Sequence, residues 1–496
     1  MNKEKGCVLA IFGATGDLTH KKLLPALYFL ELEKQLDEGF TIVAVARRPR
    51  TTEEFRKEAA ASIQKFSKYK PREDILSRLL QRIHYHQLEF NQQQDYTNLR
   101  KRISELTTRR CRQIFYLAVP PEHFEGIVQN MEAAKLADKG NKDVRIVFEK
   151  PFGNNLRSAQ ELNKTIRKVF DESQIYRIDH YLAKELVQSL LVLRFGNSIF
   201  EPLWNNKYIE HVQITVAESI GIEGRAGYYE KAGALKDIVQ NHIMQLLSLV
   251  AMQAPKKLTA DDIRDEKVKV LQKLSIRNIA QDGVKGQYGN GKEAVAYREE
   301  KNVPPDSKTD TYFALKVFVN NATWNSVPFY IRTGKRLKER ATEIILVYKP
   351  SIIRLFPEVQ DGEKLNRLTV RVQPDEGISL TFNTKVPGNK ILIEPVTMDF
   401  CHECTFGPKS AEAYERLLYD IIQGDQTLFT RWDEVELSWK LVDRIAAAFK
   451  DKAPAMYPAG SWGPKEADML IERDGRKWVV PEKPRYAQMQ VNHEGH

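Results

Sequence analysis

An unbroken apolar run, Cys7 to Phe12, stops on Gly13-Ala14-Thr15-Gly16-Asp17-Leu18, and little else in the sequence restricts the fold as strongly. An amphipathic stretch follows from Lys21 to Lys34, and a second apolar run, Phe40 to Ala46, ends in Arg47-Arg48. Strand, glycine turn, helix and strand in that order make a βαβ unit. Two more short apolar runs fit the same scheme, Ile114 to Val119 before Pro120-Pro121 and Val144 to Phe148 before Glu149-Lys150-Pro151. Helical patterns fill the gaps, so residues 1–180 are expected to form a Rossmann-like, doubly wound α/β domain with a mostly parallel sheet.

From about Ile199 the texture changes. Tyr208 to Glu218, Thr311 to Val319, Val327 to Arg332, Glu343 to Tyr348, Leu368 to Val372, Ile378 to Thr384 and Lys390 to Ile393 read as strands with short connections. Helices are predicted at Gly233 to Met252, Ser410 to Ile422 and Asp433 to Phe449. Residues 181–496 therefore read as a larger α+β domain on a mostly antiparallel sheet. Helices on one face leave the other to be covered, which predicts a homo-oligomer.

Composition removes several function classes. The 496 residues are 42% hydrophobic, enough for two cores, and the net charge of +10 is spread along the chain rather than gathered in a stripe. Small anionic ligands suit that charge better, and no nucleic-acid partner is expected. No stretch approaches the roughly 18 apolar residues of a membrane span, so no membrane role is expected. After Cys7 only five apolar residues precede Gly13, too few for a secretory core, and four scattered cysteines suit a reducing compartment. A cytoplasmic protein is the expectation. Cys401-His402-Glu403-Cys404 lacks a second pair at ligand spacing, so it reads as local packing and no metal is expected. The polar residues from about Gln488 read as a fraying end.

Gly13 and Gly16 stand where backbone amides and a helix start hold a pyrophosphate, with Thr19 at the third glycine position of the usual spacing. A carboxylate at the end of the second strand would select a ribose hydroxyl; Arg47-Arg48 instead suits a 2′-phosphate. NADP is thus the predicted coenzyme and Arg47 its phosphate contact. Lys150 closes a later strand at the ligand edge of the sheet, and Pro151 is a candidate cis residue.

Asp179-His180-Tyr181-Leu182-Ala183-Lys184 follows the strand Ile175 to Ile178 and leads into a predicted helix. His180, Tyr181 and Lys184 suit a phosphate dianion, while Asp179 reads equally as a plain N-cap. His242 falls with Ile238 and Leu246 on a buried helical stripe, the place of a core histidine, yet histidine is also the residue for taking a hydroxyl proton.

The run from Asp179 to Lys184 resembles the signature of glucose-6-phosphate dehydrogenases, with Ala183 where that family has glycine. Residues 13–18, Glu149 to Gly153, Asp237 through His242, and Pro328-Phe329-Tyr330-Ile331-Arg332-Thr333-Gly334-Lys335 match the family in its order. The resemblance implies oxidation of glucose 6-phosphate to 6-phosphogluconolactone with NADP, the first step of the oxidative pentose phosphate pathway, by a homodimer or homotetramer. It implies His242 as general base and Asp179 as its partner. His180, Tyr181 and Lys184 would hold the 6-phosphate, with Lys335 and Arg340 completing the anion pocket. Glu218 and Asp237 would bond sugar hydroxyls, and Lys150 would lie between sugar and nicotinamide. A dehydrogenase of an unphosphorylated sugar is the nearest rival, and it would leave those cations unpaired. A non-catalytic coenzyme sensor is the other, and it would need only the coenzyme half.

Overall fold

A computed structural model describes residues 6–107, 111–292, 294–353, 355–359, 364–407 and 412–481. The expected fraying end from Gln488 lies outside the described residues. The chain forms two compact units. The first is 1–183 joined by 257–264 and 411–436; the second comprises 184–256, 265–410 and 437–496. A single cut after residue 180 divides the chain differently, because two later segments return to the first unit.

The first unit is built on β1 (Cys7–Phe12), β2 (Phe40–Ala46), β3 (Ile83–Gln87), β4 (Arg112–Leu117), β5 (Val144–Phe148) and β6 (Ile175–Ile178). They lie in the order 3-2-1-4-5-6, every pair parallel, and Phe429–Thr430 adds an antiparallel edge to β6. All six residues of β1 and all five of β5 are buried, as helices on both faces require. β3 was not anticipated: Ile83-His84-Tyr85-His86-Gln87 alternates but carries two histidines where an apolar run is sought.

The returning segment supplies the helix Ala413–Gln423, which ends on Gly424 in the left-handed region. Arg145 of β5 donates to the terminal carbonyls of Ile421 and Ile422, the latter at 2.9 Å, so the helix end is satisfied by a side chain. Asp420 on this helix has its carboxyl pushed up to about 7, first by burial and then by the neighbouring Asp425. A carboxyl raised in the folded state holds its proton more tightly folded than unfolded, so stability falls as pH climbs from about 4 to about 7. Asp420→Asn is expected to melt above the parent at about pH 8 and to converge with it below about pH 4, in calorimetry across that range.

The second unit carries β7 (Ile209–Ala217), β8 (Leu274–Ser275), β9 (Gly283–Gly289), β10 (Tyr312–Val319), β11 (Pro328–Gly334), β12 (Ala341–Tyr348), β13 (Arg367–Gln373), β14 (Gly377–Lys385) and β15 (Ile393–Cys401). Its ten-stranded sheet runs β15-β14-β13-β12-β7-β11-β10-β9 and then Ala455–Pro458, with β8 on β10. β7 pairs with β11, and β9 with Ala455–Pro458, in parallel; the other neighbours are antiparallel. The glycines of β9 and the brevity of Ala455–Pro458 hid both from the sequence pattern. The strand expected at Lys390 to Ile393 instead starts at Ile393 and runs to Cys401. A helix spans Trp432–Phe449, while the start expected at Ser410 lies outside the described residues.

The helix expected from Gly233 to Met252 is three pieces. Helix Ala226–Ala234 breaks at Gly233 (φ 62°), a π-helical turn spans Leu235–Ile243, and a regular helix spans Met244–Ala251. The break has a local cause: Asp310 accepts from the Leu235 amide at 2.7 Å, and a Cβ on Gly233 would lie 2.5 Å from its carboxylate. The packing reading of Cys401 and Cys404 is also corrected, since the two are joined in a disulfide. Three residues apart, they bridge one turn, the redox pairing that the spacing also allowed.

Candidate active site

In the first unit the glycine turn packs against neighbouring strand ends. Gly13 has φ 83°, and a Cβ there would lie 2.3 Å from the Ala118 carbonyl oxygen just past β4. The Gly13 and Ala14 amides donate to Val45 O of β2 at 2.9 and 3.1 Å, and Gly16 donates to Gly13 O at 2.9 Å. Thr19, buried, donates from its hydroxyl to Gly13 O at 3.3 Å, which accounts for a threonine at that position. The turn opens onto a helical segment that starts with the π turn Thr19–Leu23. The His20 amide donates to Gly16 O at 3.2 Å, and the turn sits where β1 and β4 diverge, the crevice at which such sheets take a nucleotide. Thr15 and Gly16 are half-buried, Leu18 likewise, and Asp17 is exposed and bonded to Lys21 at 2.7 Å.

Arg47 leaves the end of β2 exposed, with its guanidinium 5.4 Å from the centroid of the Phe90 ring. The ring fixes the arginine's plane without consuming its donors. At the end of β5, Lys150 is half-buried and its bond to Pro151 is cis. The Glu149 beside it accepts from Tyr116 at 2.5 Å and from Tyr414 of the returning segment. Burial raises the Glu149 carboxyl, and the two phenols with Lys150 pull the other way.

Past β6, Asp179 is buried and accepts from the Tyr181 amide at 3.0 Å, so it does cap its own turn. His180 is half-buried with its ring edge-on to Tyr181 at 5.1 Å. The helix begins only at Glu185, so the phosphate candidates occupy a turn before it and not its first turn. Ala183 is buried and is not among the described non-glycine residues with positive φ, so alanine meets no backbone strain there.

The second unit gathers the remaining candidates. Lys184, the extended residue preceding that helix, donates to Gln373 Oε1, and Arg340 donates to the same oxygen at 3.0 Å. Gln373 in turn donates to Thr342 at 3.0 Å, which fixes which way its amide faces. The sequence reading missed Gln373. Its signal, the last position of β13 before a proline, is structural and not chemical.

Lys335 is 1% exposed; its ammonium donates to Glu218 at 2.7 Å and stands 5.2 Å from the centroid of Tyr229. Its other two donors have no partner among the described residues. The Lys335 amide bonds Thr311 O, and Tyr457 donates to the Lys335 carbonyl at 2.7 Å, so its backbone is held on both sides.

Asp237 and His242 both lie on the π turn, and both are buried. On a regular α-helix residues five apart point about 140° away from each other. The wider π turn closes i to i+5 and brings them toward one face, a distortion that often marks functional sites. Tyr228 donates to Asp237 at 3.0 Å, and the His242 amide is taken by Asn241 Oδ1 at 2.7 Å.

Two family models cover nearly all of the chain. The glucose-6-phosphate dehydrogenase NAD binding domain matches residues 10–189, and the glucose-6-phosphate dehydrogenase C-terminal domain matches residues 191–479. The chain belongs to the glucose-6-phosphate dehydrogenase family. Among relatives of that name, the protein of Chlamydia pneumoniae is 46% identical over 489 residues, 95% of this chain and 96% of its own length. The protein of Bacillus subtilis strain 168 is 44% identical over 492 residues, 96% and 99% of the two chains. A solved glucose-6-phosphate dehydrogenase in complex with its substrate glucose-6-phosphate superposes with a TM-score of 0.88 at 31% identity, covering 97% of this chain and all of that one. The glucose-6-phosphate 1-dehydrogenase of Mycobacterium avium gives 0.85 at 33%, with the same coverage. Membership makes this chain an oxidoreductase with a nucleotide-binding first unit, and it accounts for the paired sheets. Among the described residues no helix is long and apolar enough to cross a membrane.

Proposed function

We propose that this chain oxidises glucose 6-phosphate at C1 to 6-phosphogluconolactone, with NADP as coenzyme. The observation that carries the reading is the convergence of Lys184 and Arg340 on one neutral oxygen of Gln373. Two cationic donors aimed at one point suit a phosphate dianion, which accepts several charge-assisted bonds at once, better than a neutral hydroxyl.

His242 takes the proton of the C1 hydroxyl as the C1 hydride departs, leaving a carbonyl in the ring and an imidazolium. Asp179 stabilises that imidazolium, as a carboxylate does in hydrolase triads. Glu218 and Asp237 orient the sugar hydroxyls, and Lys335 joins Lys184, Arg340, His180 and Tyr181 around the phosphate. Lys150 sits between sugar and nicotinamide.

The residues present fit the coenzyme: Gly13, at positive φ with the Ala118 carbonyl against it, makes the tight turn, and the helix start behind it suits a pyrophosphate. NADP, when bound, would supply the acceptor for the hydride. Arg47 holds the 2′-phosphate, and Gly13 to Leu18 line the pyrophosphate. Arg47→Ala is expected to raise the KM for NADP about tenfold or more while leaving the KM for NAD within about twofold, a loss of one charge-assisted contact. Appearance of reduced coenzyme with glucose 6-phosphate, run beside plain glucose, tests the substrate: equal rates with both sugars would sink the phosphate reading.

Self-association as a homodimer or homotetramer belongs to the same proposal. The second unit exposes Ile352, Ile353 and Leu355 beside an open, largely apolar cavity of about 1010 Å³. A second copy is the simplest cover for such a patch. Ile353→Asp is expected to shift the mass by light scattering toward the monomer; an unchanged mass moves the interface elsewhere.

A further inference from the structure

The disulfide joining Cys401 and Cys404 lies at a telling place in the second unit. Cys401 is the last residue of β15 and pairs with Gly377, the first of β14. The next residue, His402, donates its amide to Glu376 O at 3.0 Å. Glu376 stands three residues past Gln373, in the turn joining β13 to β14. The bridged turn is therefore bonded directly to the segment that begins at the oxygen shared by Lys184 and Arg340.

Its surroundings suit exchange and not burial. Cys404 is exposed and Cys401 half-buried, and the Cys404 amide donates to Cys401 Sγ at 3.0 Å. Cys7, by contrast, is buried, and its thiol is pushed up to about 12 by that burial, so it takes no part in thiol chemistry at neutral pH. The helix that the disulfide closes, His402–Phe406, has five residues, too few to persist by itself. The polar cluster alongside it ties the same three strands together: Ser379 donates to Asp399 at 2.5 Å, and Arg371 reaches Asp399 at 3.4 Å.

We infer that Cys401 and Cys404 form a reversible redox couple that sets the substrate affinity of the anion site, with a small or protein dithiol as its reductant. The inference rests on the reading of Lys184, Arg340 and Gln373 as phosphate ligands. In the reducing direction a dithiol's thiolate attacks the exposed Cys404 Sγ. The S–S bond breaks and its electron pair passes to Cys401 Sγ, where the Cys404 amide hydrogen bond stabilises the thiolate. The reagent's second thiolate then closes on its own bound sulfur and releases Cys404. Two electrons and two protons move from the dithiol to the protein, and the reagent leaves as a disulfide. Once opened, the five-residue helix frays, the bond from His402 to Glu376 is lost, and the turn after Gln373 loosens.

The test uses the full chain equilibrated with reduced dithiothreitol or with its oxidised cyclic disulfide, then alkylated and weighed by mass spectrometry. Two extra alkyl groups on the reduced form, at Cys401 and Cys404, are expected. The KM for glucose 6-phosphate is expected to be about fivefold or more higher in the reduced form, the scale of an ordinary coupling between sites. The kcat and the KM for NADP should stay within about twofold. Cys401→Ser and the double variant with Cys404→Ser should show the reduced-form KM under both conditions. A pair that does not exchange, or one that exchanges with no change in KM, overturns the inference. Gln373→Ala, assayed in parallel, separates the two readings: a KM unaffected by that change removes the anion-site assignment itself, whereas a raised KM leaves the coupling alone to be judged.

Discussion

His242→Asn is expected to lower kcat about a hundredfold or more while the KM for glucose 6-phosphate moves less than about threefold, because a positioned base acts in the transition state and not in ground-state binding. Asparagine keeps the size and one donor of the imidazole but accepts no proton at neutral pH. His242 is 1% exposed within a turn whose neighbours are also buried, so the substitution leaves packing nearly intact. Asp179→Asn should show a smaller loss of kcat in the same direction, since in the proposed role it would stabilise the imidazolium without touching the reacting hydroxyl. Stopped-flow absorbance of the reduced coenzyme measures both. A histidine that merely filled the core would change the melting temperature and leave kcat within about twofold, and that pattern would remove the base assignment.

Lys335→Gln is expected to raise the KM for glucose 6-phosphate about tenfold to a hundredfold, the value of one charge-assisted bond to a phosphate. It has a second effect with a different origin. The lysine is buried while Glu218 is half-buried, and removing the lysine leaves a partly desolvated carboxylate without its ion-pair partner. A lowered melting temperature should accompany the raised KM, and adding Glu218→Gln should recover stability without recovering affinity. The double variant thus separates the lysine's two roles. If affinity returned together with stability, Lys335 would be a structural residue and not a phosphate ligand.

Much of the nucleotide-binding fold was legible in the sequence because its pattern is local. A strand, a glycine and a helix start are contiguous, and the arginine that follows the second strand is reached by counting. The structure adds that Gly13 is required twice, by its positive φ and by the Ala118 carbonyl against it. Less of the second unit was legible, for a physical reason. Periodicity assumes 3.6 residues per turn, and the segment carrying Asp237 and His242 departs from it because Asp310, distant in sequence, captures the first amide and forces the break at Gly233. Gln373 escaped notice because an uncharged amide at a strand end has no motif; only the two cations meeting there reveal it. β9 and its parallel partner Ala455–Pro458 escaped because glycines and shortness erase the alternation by which strands are recognised.

The return of residues 411–436 to the first unit bears on the order in which the chain acquires structure during synthesis. β6 has no neighbour on its outer edge until Phe429 pairs with Ile178. Gln426 then closes the carbonyls of Glu172 and Ile175, and the Trp432 amide bonds Glu172 at 2.9 Å. An emerging chain that has reached residue 183 therefore holds a nucleotide fold whose β6 edge is bare as well as its β3 edge, an adhesive surface for any other extended segment nearby. It stays so while more than two hundred further residues are translated. The amino-terminal unit is the first to start and among the last to be finished, and its β6 edge stays open to other extended segments in the interval.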